Sequence, residues 1–247
     1  MVQVFDLSKT FVDPKRGEIK AVDHVGFEAK PGRILGLLGV NGAGKTTTMR
    51  MLSTVISPTS GTARVAGYDI VDEPARVRES IGFVSGSTAL YGRLTAKECL
   101  EYFGQLYGLD GNLKASIDRV TEQLGLHDFL NQLCDKLSTG QKQRVSIARA
   151  IIHDPPIMFF DEPTAGLDVL AGQAIMEFIE SCRNQGKTVV FSTHIMSEVE
   201  RLCDDVVVIH EGRVCATGSS AEMKAQTNSP TLEQAFLTLV GYQRGAQ

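Results

Sequence analysis

The sequence predicts an α/β domain interrupted mid-chain by a block of helices. Three observations carry this. The apolar run Arg33-Ile34-Leu35-Gly36-Leu37-Leu38 has the length of a buried strand and leads through a glycine-rich loop toward the helix-forming segment Thr47-Thr48-Met49-Arg50-Met51-Leu52. From about residue 88 to 153 the texture turns helical. After Pro155-Pro156 the strand–helix alternation resumes, with an apolar strand at 157–160, a helix around 169–183 and a second strand at 188–192.

The first thirty residues read as short strands and turns. Residues 2–5 alternate poorly, whereas Ile19-Lys20-Ala21-Val22 and Val25-Gly26-Phe27-Glu28 carry β character, and Pro31-Gly32 is a turn. Residues 61–67 form a short strand bounded by glycines, and Ile81-Gly82-Phe83-Val84 is another strand candidate. In the helical block, Thr95-Ala96-Lys97-Glu98 fits a capping box, in which hydroxyl and carboxylate satisfy helix-end N–H groups reciprocally. Leu113, Ile117, Val120 and Leu124 share one helix face, so the block reads as a lobe of the α/β domain. Further on, Ser197-x-x-Glu200 fits a second capping box at a helix start. Residues 206–210 and 213–216 form a hairpin across Glu211-Gly212, and an amphipathic helix runs over 232–240 behind Pro230-Thr231. There is a single phosphate-type loop and no internal repeat.

Bulk properties narrow the classes. The 247 residues, 43% hydrophobic and 22% charged, suit one large domain or two small ones. A net charge of −4 without a Lys/Arg run argues against nucleic acid as a partner. The five cysteines (Cys99, Cys134, Cys182, Cys203, Cys215) are odd in number and never spaced C-x-x-C, as expected of reduced thiols and of neither a disulfide framework nor a zinc site. No signal peptide is visible at the N-terminus. The longest apolar stretches fall far short of the ~20 residues a membrane span needs, so the chain is expected to dock on a membrane partner at most.

The chemistry is most legible in Gly39-Val40-Asn41-Gly42-Ala43-Gly44-Lys45-Thr46, which reads G-x-x-x-x-G-K-T. Glycines let backbone N–H groups curl around phosphate oxygens with no Cβ in the way, and the following helix N-terminus adds partial positive charge. In this pattern Lys45 reaches the β/γ-phosphates and the Thr46 hydroxyl sits on Mg²⁺, with Thr47 next in the cradle. A glycine-rich turn that merely caps a helix is the alternative. A nucleoside triphosphate is the expected ligand.

Four further segments bear on that loop. Leu137-Ser138-Thr139-Gly140-Gln141 opens a helix with a Ser138-x-x-Gln141 capping box, and such an N-terminus is also an anion site. The strand Ile157-Met158-Phe159-Phe160 ends in Asp161 and Glu162. An acid at a strand's carboxyl end beside a phosphate loop is placed to hold Mg²⁺. Ala165-Gly166-Leu167-Asp168 taken alone is an N-cap aspartate before a helix. His194 closes the strand at 188–193, where a lone histidine is as readily a surface residue.

Together these segments resemble the ATP-binding cassette (ABC) ATPases, with Thr139 in place of the first glycine of the family's LSGGQ signature. The resemblance covers the chain to about residue 220. It implies a P-loop NTPase (RecA-like) core with an N-terminal antiparallel β-subdomain and an inserted α-helical subdomain at about 88–155, followed by a helical tail over 221–247. It implies ATP and Mg²⁺ as ligands, Asp161 as the Walker B metal residue, Glu162 as general base, His194 as the switch histidine, Asp168 as the D-loop residue and Phe11 as the aromatic stacked on adenine. Where the family places a glutamine after the strand at 81–85, this chain has Gly86, within Val84-Ser85-Gly86-Ser87-Thr88; glycine has no side-chain donor or acceptor.

The same resemblance implies a second ATPase subunit, identical to the first, packed head to tail so that Ser138, Thr139, Gly140 and Gln141 close on the ATP held by the other chain's Lys45. It also implies an integral membrane permease received by the helical lobe around Leu90, Tyr91 and Leu94, and a location on the cytoplasmic face of the cell membrane. Thr231-Leu232-Glu233-Gln234-Ala235-Phe236 resembles the tail of exporter-type (ABC-2) ATPases, and residues 84–88 resemble the sodium-exporting NatA type. Export of sodium or of a drug-like substrate is therefore expected, with a soluble ABC ATPase acting as an assembly scaffold as the alternative.

Overall fold

Strands covered on both faces set the architecture. The computed structural model describes residues 1–15, 17–85 and 89–242. An antiparallel sheet joins β1 (Val2–Asp13), β2 (Gly17–Ala29), β4 (Ser60–Val65) and β5 (Tyr68–Asp69) in the order β2-β1-β4-β5. A six-stranded sheet has the order β10-β9-β3-β8-β7-β6, built from β3 (Ile34–Leu38), β6 (Ile81–Ser85), β7 (Ile157–Asp161), β8 (Thr188–Thr193), β9 (Asp205–His210) and β10 (Arg213–Gly218). Its neighbours pair in parallel except β9 with β10.

Alternation along the parallel strands divides the core. Met158 and Phe160 of β7, with Val189 and Phe191 of β8, face the helical side, where α3 (Ala96–Leu106), α4 (Leu113–Leu124), α5 (Thr139–Ile151) and α6 (Val169–Asn184) pack. The helical block thus shares one apolar cluster with the sheet. Ile157, Phe159 and Val190 face the other way, onto Met49, Met51 and Leu52 of α1 (Lys45–Leu52) and the antiparallel sheet's Val4, Leu7 and Val25. A smaller cluster seats α7 (Met196–Leu202), α8 (Ser220–Gln226) and α9 (Leu232–Leu239) on Leu38, Val206 and Val208.

Several expectations are corrected by the structure. The N-terminal strands are long, not short: bulges shift the β1–β2 register between Val4 and Leu7 and again to Lys9, which disrupts the sequence alternation while Val2, Val4 and Leu7 stay buried. The first helix begins at Lys45, behind Gly44 in the left-handed region, rather than at Thr47. The Ser197–Glu200 capping box does not form. α7 starts one residue earlier, with Ile195 as an N-cap lacking a side-chain bond, and Glu200 instead pairs with Lys224 of α8 at 2.9 Å. α2 (Pro74–Ser80), marked only by its first-turn proline, lies where no helix is expected, and α8 opens the expected helical tail behind a Ser219–Glu222 capping box. The capping boxes at Thr95–Glu98 and Ser138–Gln141 both form.

Candidate active site

Open parallel sheets bind ligands beyond the carboxyl ends of their strands, and β3, β7 and β8 bring the chemistry together there. The loop after β3 is forced to be glycine at two places. A Cβ on Gly39 would collide with the Ile209 carbonyl oxygen; one on Gly44, at φ +107°, would lie 2.6 Å from that of Ala21. The hairpin turn at Gly212 backs the loop by donating its N–H to the Ala43 carbonyl at 2.9 Å.

Lys45, the first residue of α1, is 3% exposed. Its ammonium donates to the carbonyls of Gly39 at 2.8 Å and Val40 at 3.2 Å and lies 3.3 Å from Glu162 Oε1. His194 Nδ1 stands 3.4 Å from that same oxygen. Thr46 Oγ1 donates to Asp161 Oδ1 at 3.1 Å, and Ser192 Oγ donates to it at 2.7 Å. The Ser192 hydroxyl also accepts the Glu162 N–H at 3.1 Å, as does the Ser192 carbonyl. These bonds hold Glu162 at φ +47°, a left-handed conformation that costs a non-glycine residue about 1–3 kcal/mol. Residues 41–47, Ala21 and Glu162 line a cleft of about 290 Å³.

Asn41, Gly42, Ala43, Gly44, Lys45, Thr46, Thr47, Asp161, Glu162 and His194 therefore assemble around one cleft, with Gly39 tucked beneath it and Val40 exposed at its rim. Phe11 does not line the cleft. It lies on β1 with the Lys9 ammonium 5.3 Å from its ring centroid, and its cross-strand partner Ile19 is two residues from Ala21. Ser138, Thr139, Gly140 and Gln141 lie outside the cleft as well, at the exposed start of α5. There Ser138 Oγ accepts the Gln141 N–H at 3.2 Å and Gln141 Oε1 accepts the Ser138 N–H at 2.9 Å. Asp168 caps α6 by accepting the Ala171 N–H at 2.9 Å. Gly86, Ser87 and Thr88 fall outside the described residues.

Sequence reasoning missed two buried residues. Ser192 matters because β7 and β8 pair Asp161 with it in register, and that pairing has no local sequence signal. Glu198, in the first turn of α7, accepts the hydroxyls of Thr164 and Thr193, each at 2.6 Å. As for metal chemistry, no group of three or more His, Cys, Asp or Glu side chains is placed to hold an ion among the described residues. Thr46 and Asp161 instead offer a small set of hard oxygens, which suits Mg²⁺, an ion that keeps waters and substrate phosphates as its other ligands.

The ABC transporter family model matches residues 22–165. The chain is 42% identical to the ABC transporter ATP-binding protein NatA of Bacillus subtilis (strain 168) over 240 residues, covering 96% of this chain and 97% of that one. It is 39% identical over 210 residues to the Nod factor export ATP-binding protein I of Paraburkholderia xenovorans (strain LB400), covering 85% and 69%. A solved structure of the ATP-binding cassette MJ0796, a dimer in a post-hydrolysis state bound to ADP and Pi, superposes with a TM-score of 0.79 at 28% identity, covering 89% of this chain and 98% of that one. Fold, cleft and relatives agree, and the chain belongs to the ABC transporter family: it is an ABC ATPase, the ATP-binding subunit of a transporter.

Proposed function

We propose that the chain powers export through a separate membrane permease, working as a head-to-tail pair of identical chains on the cytoplasmic face of the membrane. The observation that carries the ATP-hydrolysing core of this reading is the convergence of Lys45 and His194 on one carboxylate oxygen of Glu162 beside a glycine-built anion cradle. The loop N–H groups and the uncapped start of α1 receive the triphosphate. Lys45 exchanges the carbonyls of Gly39 and Val40 for β/γ-phosphate oxygens. Glu162 takes the proton of the attacking water, and His194 orients that water against the γ-phosphate. Thr46 and Asp161 would hold Mg²⁺, which would supply positive charge to the phosphate oxygens. Phe11 stacks on adenine from β1 of the antiparallel sheet.

The exposed Ser138–Gln141 turn then serves the other chain's nucleotide, with Asp168 on the same crossing face. A dimeric relative in a post-hydrolysis state supports this arrangement. Among the described residues no helix is long and apolar enough to cross a membrane. An apolar groove of about 400 Å³, lined by Ile81, Phe83, Tyr91, Phe103 and Tyr107, supports the reading that a permease helix docks on the helical block. A relative named for Nod factor export, together with the exporter-like segment at 231–236, supports the direction of transport. Cargo choice, sodium or a drug-like molecule, belongs to the permease.

The test pairs turnover with assembly. Glu162→Gln should lower Mg²⁺-dependent ATP hydrolysis by about 10²–10⁴-fold and accumulate an ATP-dependent dimer in size-exclusion chromatography. A variant that stays strictly monomeric with ATP overturns the head-to-tail arrangement. A tagged chain should co-purify with a polytopic membrane protein from detergent extracts. Recovery with soluble partners only would establish the assembly-scaffold alternative instead.

A further inference from the structure

We propose that Glu198 is a positioning residue for ATP hydrolysis, tying the segment after Glu162 and the strand end before His194 into one rigid frame. The inference deepens the hydrolytic reading of the cleft and rests on it. Glu198 is 7% exposed, and among the described residues no Lys, Arg or His pairs with it. A buried carboxylate without a cation is costly, and here the cost is offset by two short hydroxyl bonds. Thr164 Oγ1 donates to Oε1 and Thr193 Oγ1 to Oε2, both at 2.6 Å.

The placement of those two hydroxyls turns the observation into a mechanism. Thr164 lies two residues past Glu162, in the turn where the Ala165 N–H returns to the Glu162 carbonyl at 3.2 Å. Thr193 directly precedes His194, and its hydroxyl also accepts the Ile195 N–H at 3.0 Å, so the backbone is pinned on both sides of the imidazole. Glu198 thus reaches the backbone around the general base with one oxygen and the backbone around the water-orienting histidine with the other. The His194–Glu162 contact, 3.4 Å long, depends on that relative placement. A misplacement of about 1 Å at a reacting centre costs on the order of 10²-fold in rate. The carboxylate suits this bridge because it presents two acceptor oxygens in one plane.

The experiment is steady-state ATP hydrolysis by the full chain. Glu198→Ala should lower kcat by about 10- to 100-fold while the KM for ATP moves by less than about 2-fold, because the nucleotide cradle is untouched. Glu198→Gln, which keeps the shape and can bond both hydroxyls, should recover most of the loss. Thr164→Val and Thr193→Val, close in volume to threonine, should each lower kcat, and combining either with Glu198→Ala should add little. Wild-type kcat in Glu198→Ala, or in both valine variants should Glu198→Ala fail to fold, overturns the proposal. So does a loss of kcat that runs in proportion to a fall in thermal midpoint across all four variants. If Glu162→Gln itself retains full turnover, the hydrolytic reading of the cleft fails. If Glu162→Gln is inactive and Glu198→Ala is not impaired, only the positioning role fails.

Discussion

Two helix starts in this molecule face the same physical problem and finish it differently. α1 and α5 each begin with N–H groups that have no intrahelical acceptor, and each is suited to an anion. α1 follows Gly44 with no side-chain cap, so its N-terminus stays open inside a walled cleft. α5 closes on itself through the reciprocal Ser138–Gln141 bonds and sits exposed. The open start has no side-chain cap to give up before it meets phosphate, and only the Lys45 ammonium must leave the Gly39 and Val40 carbonyls. The capped one must give up or share its own bonds, a cap worth about 1 kcal/mol, to meet a phosphate held elsewhere. In the proposed head-to-tail pair this makes the α1 side the permanent seat of ATP and the α5 side a weaker, releasable lid.

The largest test of that division is complementation. Lys45→Ala removes the cleft's cation and should lower hydrolysis by about 10²–10³-fold. Ser138→Arg leaves the cleft intact but blocks the lid, and should be inactive by a comparable factor on its own. Mixed in equal amounts, the two variants form some pairs with one intact composite site, so activity absent from either should reappear. A mixture as inactive as its parts would show that each chain completes its own site, and the comparison between the two starts would collapse.

A smaller effect separates capping from phosphate contact. Ser138→Ala should cost about 1 kcal/mol in denaturant unfolding, whereas Ser138→Asn, another good N-cap, should cost nearly nothing. If Ser138 also meets the partner's phosphate, both variants lose turnover and only alanine loses stability. Equal losses of stability would mean that the cap contributes nothing and that the contrast with α1 is one of exposure alone.

The contrast also explains what the sequence disclosed. The proposed seat of the triphosphate lies within eight consecutive residues whose glycines, lysine and threonine carry their own geometry, so it was legible locally. The capping boxes at Thr95 and Ser138 were legible for the same reason. An acid closing the 157–160 strand was legible as a magnesium candidate beside the loop, whereas the separate roles expected of Asp161, Glu162 and His194 came from family resemblance, since their meeting depends on β3, β7 and β8 being neighbours. Ser192 and Glu198 stayed hidden because register and the approach of α7 place them, and Ser197-x-x-Glu200 offered a false cap in the adjacent residues. The bulges of β1 likewise erased an alternation that burial preserves.

The last and smallest effect concerns the far end of α5. Two residues past Ile151, His153 stacks on Tyr107 at 3.6 Å between centroids, and its Nε2–H donates to the Ile81 carbonyl at 3.1 Å, pinning the helical block to the first residue of β6. Its Nδ1 is buried with no partner among the described residues. Burial holds the imidazole down from 6.5 to about 4, with Asp154 opposing and Lys187 and Arg119 reinforcing. The unfolded chain takes up the proton near 6.5 while the folded chain refuses it until about 4. The stability linked to His153 is therefore whole above pH 6.5 and is lost as pH falls through that window, by at most about 1.4 kcal/mol per pH unit. His153→Phe, which keeps the stack and cannot titrate, should flatten the pH dependence of unfolding between pH 6.5 and 4. Amide exchange at pH 5 should show α5 losing protection in the wild-type chain more than in the variant. Identical slopes would mean that His153 does not govern this joint, and that the two ends of α5 differ in exposure but not in how they are held.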